Sequence, residues 1–390
     1  MMTPSSQYVL GIMTTQTEGD PPFLNRGFYR RLCIAGSRIG LQVFVFTIEG
    51  IDWLQHTIQG FAYDASGRQW MLRQFRIPDI VYDRCFFTTR RQYAAYRTAV
   101  RKLQEYRPAL FLGCGLRGKW EVQHMLEQDS RLQAYLPPTE VMRSVRSVAD
   151  WLKSRGEVLL KPQSGSQGRG VLHVRRAPRT AGEGARERME SAGPAFSVRG
   201  RDARNRRVEC GFADAPSLLR WLRRFTAQRN YLLQQYLQLQ GPHGDAYDVR
   251  ALVQKDGTGQ WQVTGMAVRR GQNGSLTSNL HGGGSVEPAE AFLAGLYGPA
   301  RASQLVSELQ QLSKLIPEIL ETFHGRLAEL GIDFGVDTHG RIWILEVNSK
   351  PGRSIFTYLH DDQARYAALV NPIRYARHLL RRSPFKEGIR

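Results

Sequence analysis

"GIDFGVDTHGRIWILEVNSKPG", residues 331–352, is the stretch from which the rest of the chain can be read. Trp343, Ile344, Leu345 and Val347 suit a sheet interior. Glu346 and Asn348 lie two apart, so both side chains leave the same face of that strand. The turn "DTHGR" folds it back on "GIDFGV". A two- or four-residue loop centred on His339 and Gly340 sets Asp333 directly opposite Glu346. Facing like charges destabilise a sheet, and carboxylates buried without partners are costly. Two arrangements resolve the conflict. A hard dication can sit between Asp333 and Glu346, because Mg²⁺ (or Mn²⁺) takes oxygen ligands and commonly uses one or two carboxylates beside substrate phosphates. Alternatively the two acids pair with arginines, which are plentiful here.

A phosphate-binding element belongs with such a metal. "EVLLKPQSGSQGRGVLHV", residues 157–174, reads as strand, glycine loop, strand, with Lys161 closing the first strand and Gly165, Gly168 and Gly170 in the loop. No Gly-Lys-Ser/Thr opens a helix, so this is not a Walker A loop. A glycine hairpin can instead cover a triphosphate and offer backbone N–H groups, with Lys161 as a point charge. Between the two motifs, Arg250 in "YDVRALV" and Arg269 in "AVRRGQNGSLTSNLHGGG" fall on neighbouring strands, the second running into a loop with Asn279. Paired arginines beside phosphates stabilise a transferring phosphoryl group; taken singly, each also reads as a surface arginine.

The 390 residues carry 54 Lys and Arg against 35 Asp and Glu, a net charge of +19. That surplus points to anionic company or to an Arg-rich composition. No nucleic-acid-binding motif accompanies it, so nucleic acid is not an expected partner. No apolar run approaches the roughly 20 residues needed to span a bilayer, and the first residues lack a secretory signal's pattern. Cys33, Cys85, Cys114 and Cys210 form no CxxC pair, which fits a reducing, cytoplasmic setting.

Residues 8–110 alternate strand-like and helix-like pieces, as a small parallel α/β domain does. The stretch 175–207 is rich in Arg, Gly and Ala and reads as an exposed, mobile excursion. A long helical region over about 303–329 should be interrupted at Pro317, and the tail "RYARHLLRRSPFKEGIR" should be a basic helix with a frayed end.

In order, these pieces resemble the ATP-grasp superfamily. Lys119 in "LRGKWEVQHML" resembles its first phosphate-binding lysine and Lys161 its second. "LLQQYL" resembles the segment that grips adenine, here Gln234, Gln235, Tyr236 and Leu237, where many relatives begin with Glu. Asp333, Glu346 and Asn348 match its metal ligands, including the thirteen-residue step from Asp to Glu. "YVLGIMTTQ", "KWEVQHMLEQDSRLQAYLPPT" and "NSKPGRSIF" further resemble the endospore coat-associated YheC/YheD proteins. The resemblance implies an α/β (α+β) ATP-grasp fold. Its parts would be a Rossmann-like N-terminal domain at 1–114, a glycine-loop subdomain at 115–236 with an insert near 178–207, a metal-site subdomain at 237–375, and a basic tail at 376–390. It also implies ATP and Mg²⁺ as cofactors and a carboxylate–amine or –thiol ligase activity in which Arg269 and Arg250 act. The alternative is an ATP-binding structural protein of the spore coat. The acceptor suggested by charge is an acidic peptide or polymer, and coat proteins would be partners.

Overall fold

The computed structural model describes residues 8–87, 89–107, 111–165, 168–177, 193–241, 244–271, 278 and 284–382. Three sheets divide the chain. The first holds β1 (Tyr8–Thr14), β2 (Leu41–Thr47), β3 (Ile51–Asp52), β4 (Thr57–Asp64), β5 (Gln69–Arg76) and β6 (Ile80–Asp83), in the order β3-β4-β2-β1-β6 with β5 on β4. β1 pairs in parallel with both β2 and β6. Leu10, Ile12, Leu32, Val45 and Tyr82 form its core. The parallel half matches the expected α/β domain, whereas the antiparallel β4–β5 hairpin was not foreseen. Its strands carry polar residues among the apolar ones and bury little, so no clear period-2 signal marks them.

The second sheet runs β11-β10-β9-β8-β12-β7: β7 (Thr139–Val141), β8 (Glu157–Pro162), β9 (Leu172–Arg176), β10 (Phe196–Arg201), β11 (Arg207–Phe212) and β12 (Tyr231–Gln234). Helices Val145–Arg155 and Ala215–Thr226 cover one face through Val148, Leu152, Leu218 and Leu222. This corrects the reading of 175–207 as an excursion. Residues 178–192 lie outside the described residues, but β10 and the start of β11 are integral strands. Val198 is fully buried, and Val208, Cys210 and Phe212 alternate with exposed Arg207, Glu209 and Gly211. The arginines occupy the other face and hide that alternation. The charge is concentrated here: residues 139–234 hold 20 Lys and Arg against 9 Asp and Glu, or +11 of the total +19.

The third sheet is antiparallel, β15-β14-β13-β16-β17, from β13 (Tyr247–Lys255), β14 (Trp261–Arg270), β15 (Ser285–Pro288), β16 (Glu329–Val336) and β17 (Ile342–Asn348). One face packs on the helix Pro299–His324, whose Leu305, Leu309, Leu312, Ile316 and Leu320 are buried. That helix runs unbroken through Pro317, against expectation. An interior proline costs about 3 kcal/mol, which a stripe of buried leucines and isoleucines outweighs. The expected basic C-terminal helix is present, but it begins at Asp362 and is built into the core rather than forming a tail. Its Ile373, Tyr375, Ala376 and Leu380 complete the core of the N-terminal domain, so the boundary at 375/376 cuts through a helix.

A buried polar cluster joins the first sheet to the third. Glu329 accepts from Tyr82 (2.5 Å), Arg84 (2.8 Å) and Gln254 (2.9 Å) and pairs with Arg353. Burial pushes the Glu329 carboxyl up, but the arginines outweigh it and hold it below its usual value.

Candidate active site

The hairpin β16–β17 places Asp333 opposite Glu346, as its sequence requires, but by another route. The connecting loop has five residues, 337–341, closed by Asp337 accepting from the backbone N–H groups of His339 (3.0 Å) and Arg341 (3.1 Å). A bulge at Leu345 then shifts the register by one. Without that bulge Asp333 would face Leu345.

Neighbouring strands extend a row of alternating charge. Arg250 on β13 lies opposite Asp333, and Arg269 on β14 opposite Asp248. Arg250 grips Asp333 with both arms, one at 2.9 Å. Arg269 grips Asp248 at 2.7 and 2.6 Å and reaches Asp333 at 3.0 Å. Lys119, the first residue of helix Lys119–Glu127, donates to Glu346 at 3.2 Å. The arginine-paired reading therefore holds for Asp333, whereas Glu346 is met by a lysine. Burial would raise the Asp333 carboxyl, but Arg250 and Arg269 bring it down to about 2. Burial pushes Asp248 up against the pull of Arg269. Asp248 was missed in the sequence, although it sits two residues before Arg250 and so shares its face. Asn279 lies outside the described residues; its neighbour Ser278 donates to Asp248.

Opposite this row hangs the second sheet. Lys161 and the loop glycines Gly165 and Gly168 line a cavity of about 930 Å³ that they share with Asp333, Glu346 and Asn348. Gly170 has φ +79°, and a Cβ there would come within 2.9 Å of Pro162, so only glycine suits the position. Burial, and secondarily Lys119, push the Lys161 ammonium down to about 8. Gln234, Gln235, Tyr236 and Leu237 line the same cavity where the second sheet hands over to the third. Buried Gln234 donates to Thr139 at 2.9 Å. The Tyr236 ring stacks on His173 at 3.7 Å, and His173 is tied to Glu157 at 2.8 Å. Arg199 of β10 also lines the cavity; its place in the Arg-rich stretch concealed it.

All the foreseen site residues within the described part except Gly170 line one cleft; Gly170 sits just behind it. Among the described residues no group of three or more His, Cys, Asp or Glu side chains could hold a metal. The expected donor set has only two carboxylates, completed by an amide. Asp333, Glu346 and Asn348 offer oxygen donors alone, which fits a hard dication.

A three-sheet chain whose glycine-loop sheet closes a deep cleft over an acid-bearing antiparallel sheet has the ATP-grasp fold. D-alanyl-alanine synthetase A from Vibrio cholerae shares it, with a TM-score of 0.53 over 96% of this chain and 99% of that one, at 10% identity. Within the fold, the chain belongs to the YheC/D-like ATP-grasp family, matched over residues 109–379. Two curated relatives from Bacillus subtilis (strain 168) are similar throughout. Endospore coat-associated protein YheC is 29% identical over 324 residues, 83% of this chain and 84% of that protein. Endospore coat-associated protein YheD is 29% identical over 343 residues, 86% and 70%. No helix among the described residues is long and apolar enough to cross a membrane.

Proposed function

We propose that this chain is an ATP- and Mg²⁺-dependent ligase. A substrate carboxylate oxygen would attack the γ-phosphorus, releasing ADP and forming an acyl phosphate. An amine or thiol would then attack the carbonyl carbon, expelling phosphate and losing its proton to solvent. The observation that carries the reading is the convergence of Lys119, Lys161 and the glycine loop with Asp333, Glu346 and Asn348 on one cleft. Lys119 and Lys161, with Gly165 and Gly168, would hold the phosphates, and Gly170 would shape the loop. Gln234, Gln235, Tyr236 and Leu237 would hold the base. Asp333, Glu346 and Asn348 would hold the ion, whose contribution when bound is to neutralise phosphate charge. Arg269 would stabilise the moving phosphoryl group and Arg250 would orient the carboxylate. Such catalysis works by positioning and charge, and no side-chain nucleophile is required.

Each acid of the proposed ion site is paired with a cation: Asp333 has Arg250 and Arg269, and Glu346 has Lys119. With nucleotide and ion bound, Lys119 and Arg269 would turn to phosphate oxygens, Arg250 to the substrate carboxylate, and Asp333 and Glu346 would be free to hold the ion. Little charge is left uncompensated at any stage.

The second reading is an ATP-binding structural protein of the spore coat, favoured by the coat association in the names of the relatives. An ADP-release screen separates the two. Purified protein, Mg·ATP and pools of carboxylates and amines are combined after ATP binding has been established by calorimetry. Acceptor-dependent ADP supports the ligase; binding with no ADP across the pools supports the structural protein.

A further inference from the structure

We infer that the end of the cleft facing the N-terminal domain takes a carboxylate with an aromatic or bulky apolar body, held by ring faces rather than by charge. This rests on the ligase reading and names its substrate class.

The place is set by topology. β1 is flanked by β2 on one side and β6 on the other, and ligands of open α/β sheets bind beyond the carboxyl ends of strands where the order reverses. Phe86 and Phe87 follow the end of β6. Phe86 is fixed there by Thr15, just past β1, which accepts from its N–H (2.9 Å) and donates to its carbonyl (2.6 Å). Both phenylalanines line the cleft that contains Lys161 and Glu346, together with Tyr93, Tyr96 and Tyr358.

These rings are held in place yet open. Phe87 packs on Tyr96 at 4.6 Å and on Tyr93 at 5.5 Å. The Tyr96 hydroxyl donates to Asp83 at 2.6 Å. Phe86, Tyr93 and Tyr358 nevertheless remain 53%, 50% and 63% exposed. They are three of nine large apolar side chains so exposed among the described residues, and apolar surface gathered inside a cleft marks a ligand wall.

Charge argues the same way. Lys350, the lysine at this end, is bound to Asp83 at 2.8 Å and to the Cys85 carbonyl at 2.9 Å. Arg269 is matched by Asp248, and Arg250 is committed to the carboxylate that every such substrate carries. Among the described residues lining the cleft, Lys161 and Arg199 are the cations with no carboxylate within bonding reach. Both lie on the second sheet, at the nucleotide end, where the +11 surplus also falls. The surplus thus suits the polyphosphate of ATP, and the acidic acceptor suggested by net charge has no free cation to meet it on the N-terminal wall.

The test uses the full chain with Mg²⁺ and a non-hydrolysable ATP analogue. Calorimetry compares N-acetyl-phenylalanine, N-acetyl-glutamate and a short poly-glutamate, in the wild type and in Phe86→Ala and Tyr358→Ala. Both positions are exposed, so the fold should survive, as circular dichroism would verify. The expected result is binding of N-acetyl-phenylalanine at least tenfold tighter than of the acidic probes. Each variant should weaken it about fivefold or more while analogue affinity stays within twofold. Preference for poly-glutamate, or aromatic binding indifferent to both variants, would overturn the inference. Absence of ADP with ATP, every probe and pools of amines and thiols, while the aromatic probe still binds, would sink the ligase reading and leave an aromatic carboxylate site.

Discussion

Replacing protons at Lys161 tests the nucleotide end of the cleft most sharply. Its ammonium is pushed down to about 8, first by burial and then by Lys119. Phosphate contact requires the charged form. The contact would therefore be nearly complete below about pH 7 and lost as pH rises through 8, the usual sense for a lysine that meets an anion. If only the protonated form binds, affinity scales as 1/(1 + 10^(pH − pKa)). From pH 7 to pH 9 the factor falls about tenfold, or ~1.4 kcal/mol. Bound phosphates favour the ammonium, so binding must take up protons, roughly three-quarters of one per nucleotide at pH 8.5. Calorimetry of a non-hydrolysable ATP analogue, in two buffers of different ionisation enthalpy between pH 7 and 9, measures both quantities. Lys161→Arg, charged throughout this range, should flatten the profile. A wild-type affinity unchanged from pH 7 to 9, or an equal slope in Lys161→Arg, would refute the assignment.

For the ion site, Mg·ATP should raise the melting temperature more than ATP with excess chelator, and Glu346→Gln should abolish the difference while keeping native circular dichroism. Equal shifts with and without metal in the wild type would remove Asp333, Glu346 and Asn348 as ligands. Arg269→Lys is preferable to Arg269→Ala, because alanine would strand buried Asp248. It keeps the charge and loses the two-armed grip, so turnover should fall at least tenfold with ATP affinity within about threefold; a parallel loss of both would place Arg269 in ground-state binding. Val198→Asp should lower stability by about 3 kcal/mol or more in urea melts, through an unpaired charge in the second sheet's core. An unchanged midpoint would return β10 to the status of an excursion.

What the sequence disclosed about the site was disclosed by parity. Asp333, Glu346 and Asn348 share a face because side chains alternate along a strand, a rule that needs only neighbours in the chain. The bulge at Leu345 is a backbone event with no residue type demanding it, so the correct pairing was reached from an incorrect loop. β10 and β11 were passed over because arginines at Arg199, Arg201 and Arg207 mask the apolar positions between them. Pro317 misled because its local cost is visible in the sequence and the burial that offsets it is not. The Glu329 cluster was beyond reach: its partners Tyr82 and Arg84 lie 247 and 245 residues away.

The helix Asp362–Arg382 has a consequence for how the chain is made. The core built from Leu10 and Leu32 is finished by Ile373, Tyr375 and Leu380, so a sheet synthesised early is completed only late. At roughly 5–20 residues per second, the N-terminal sheet waits on the order of 20 to 70 s for its final layer. Nascent chains arrested before residue 373 should leave the β1–β2 region open to protease, and released full-length chains should protect it. Protection already present in the arrested chains would show that the first sheet closes without its C-terminal helix. On this account the first sheet passes through synthesis as an unfinished surface until the helix Asp362–Arg382 arrives.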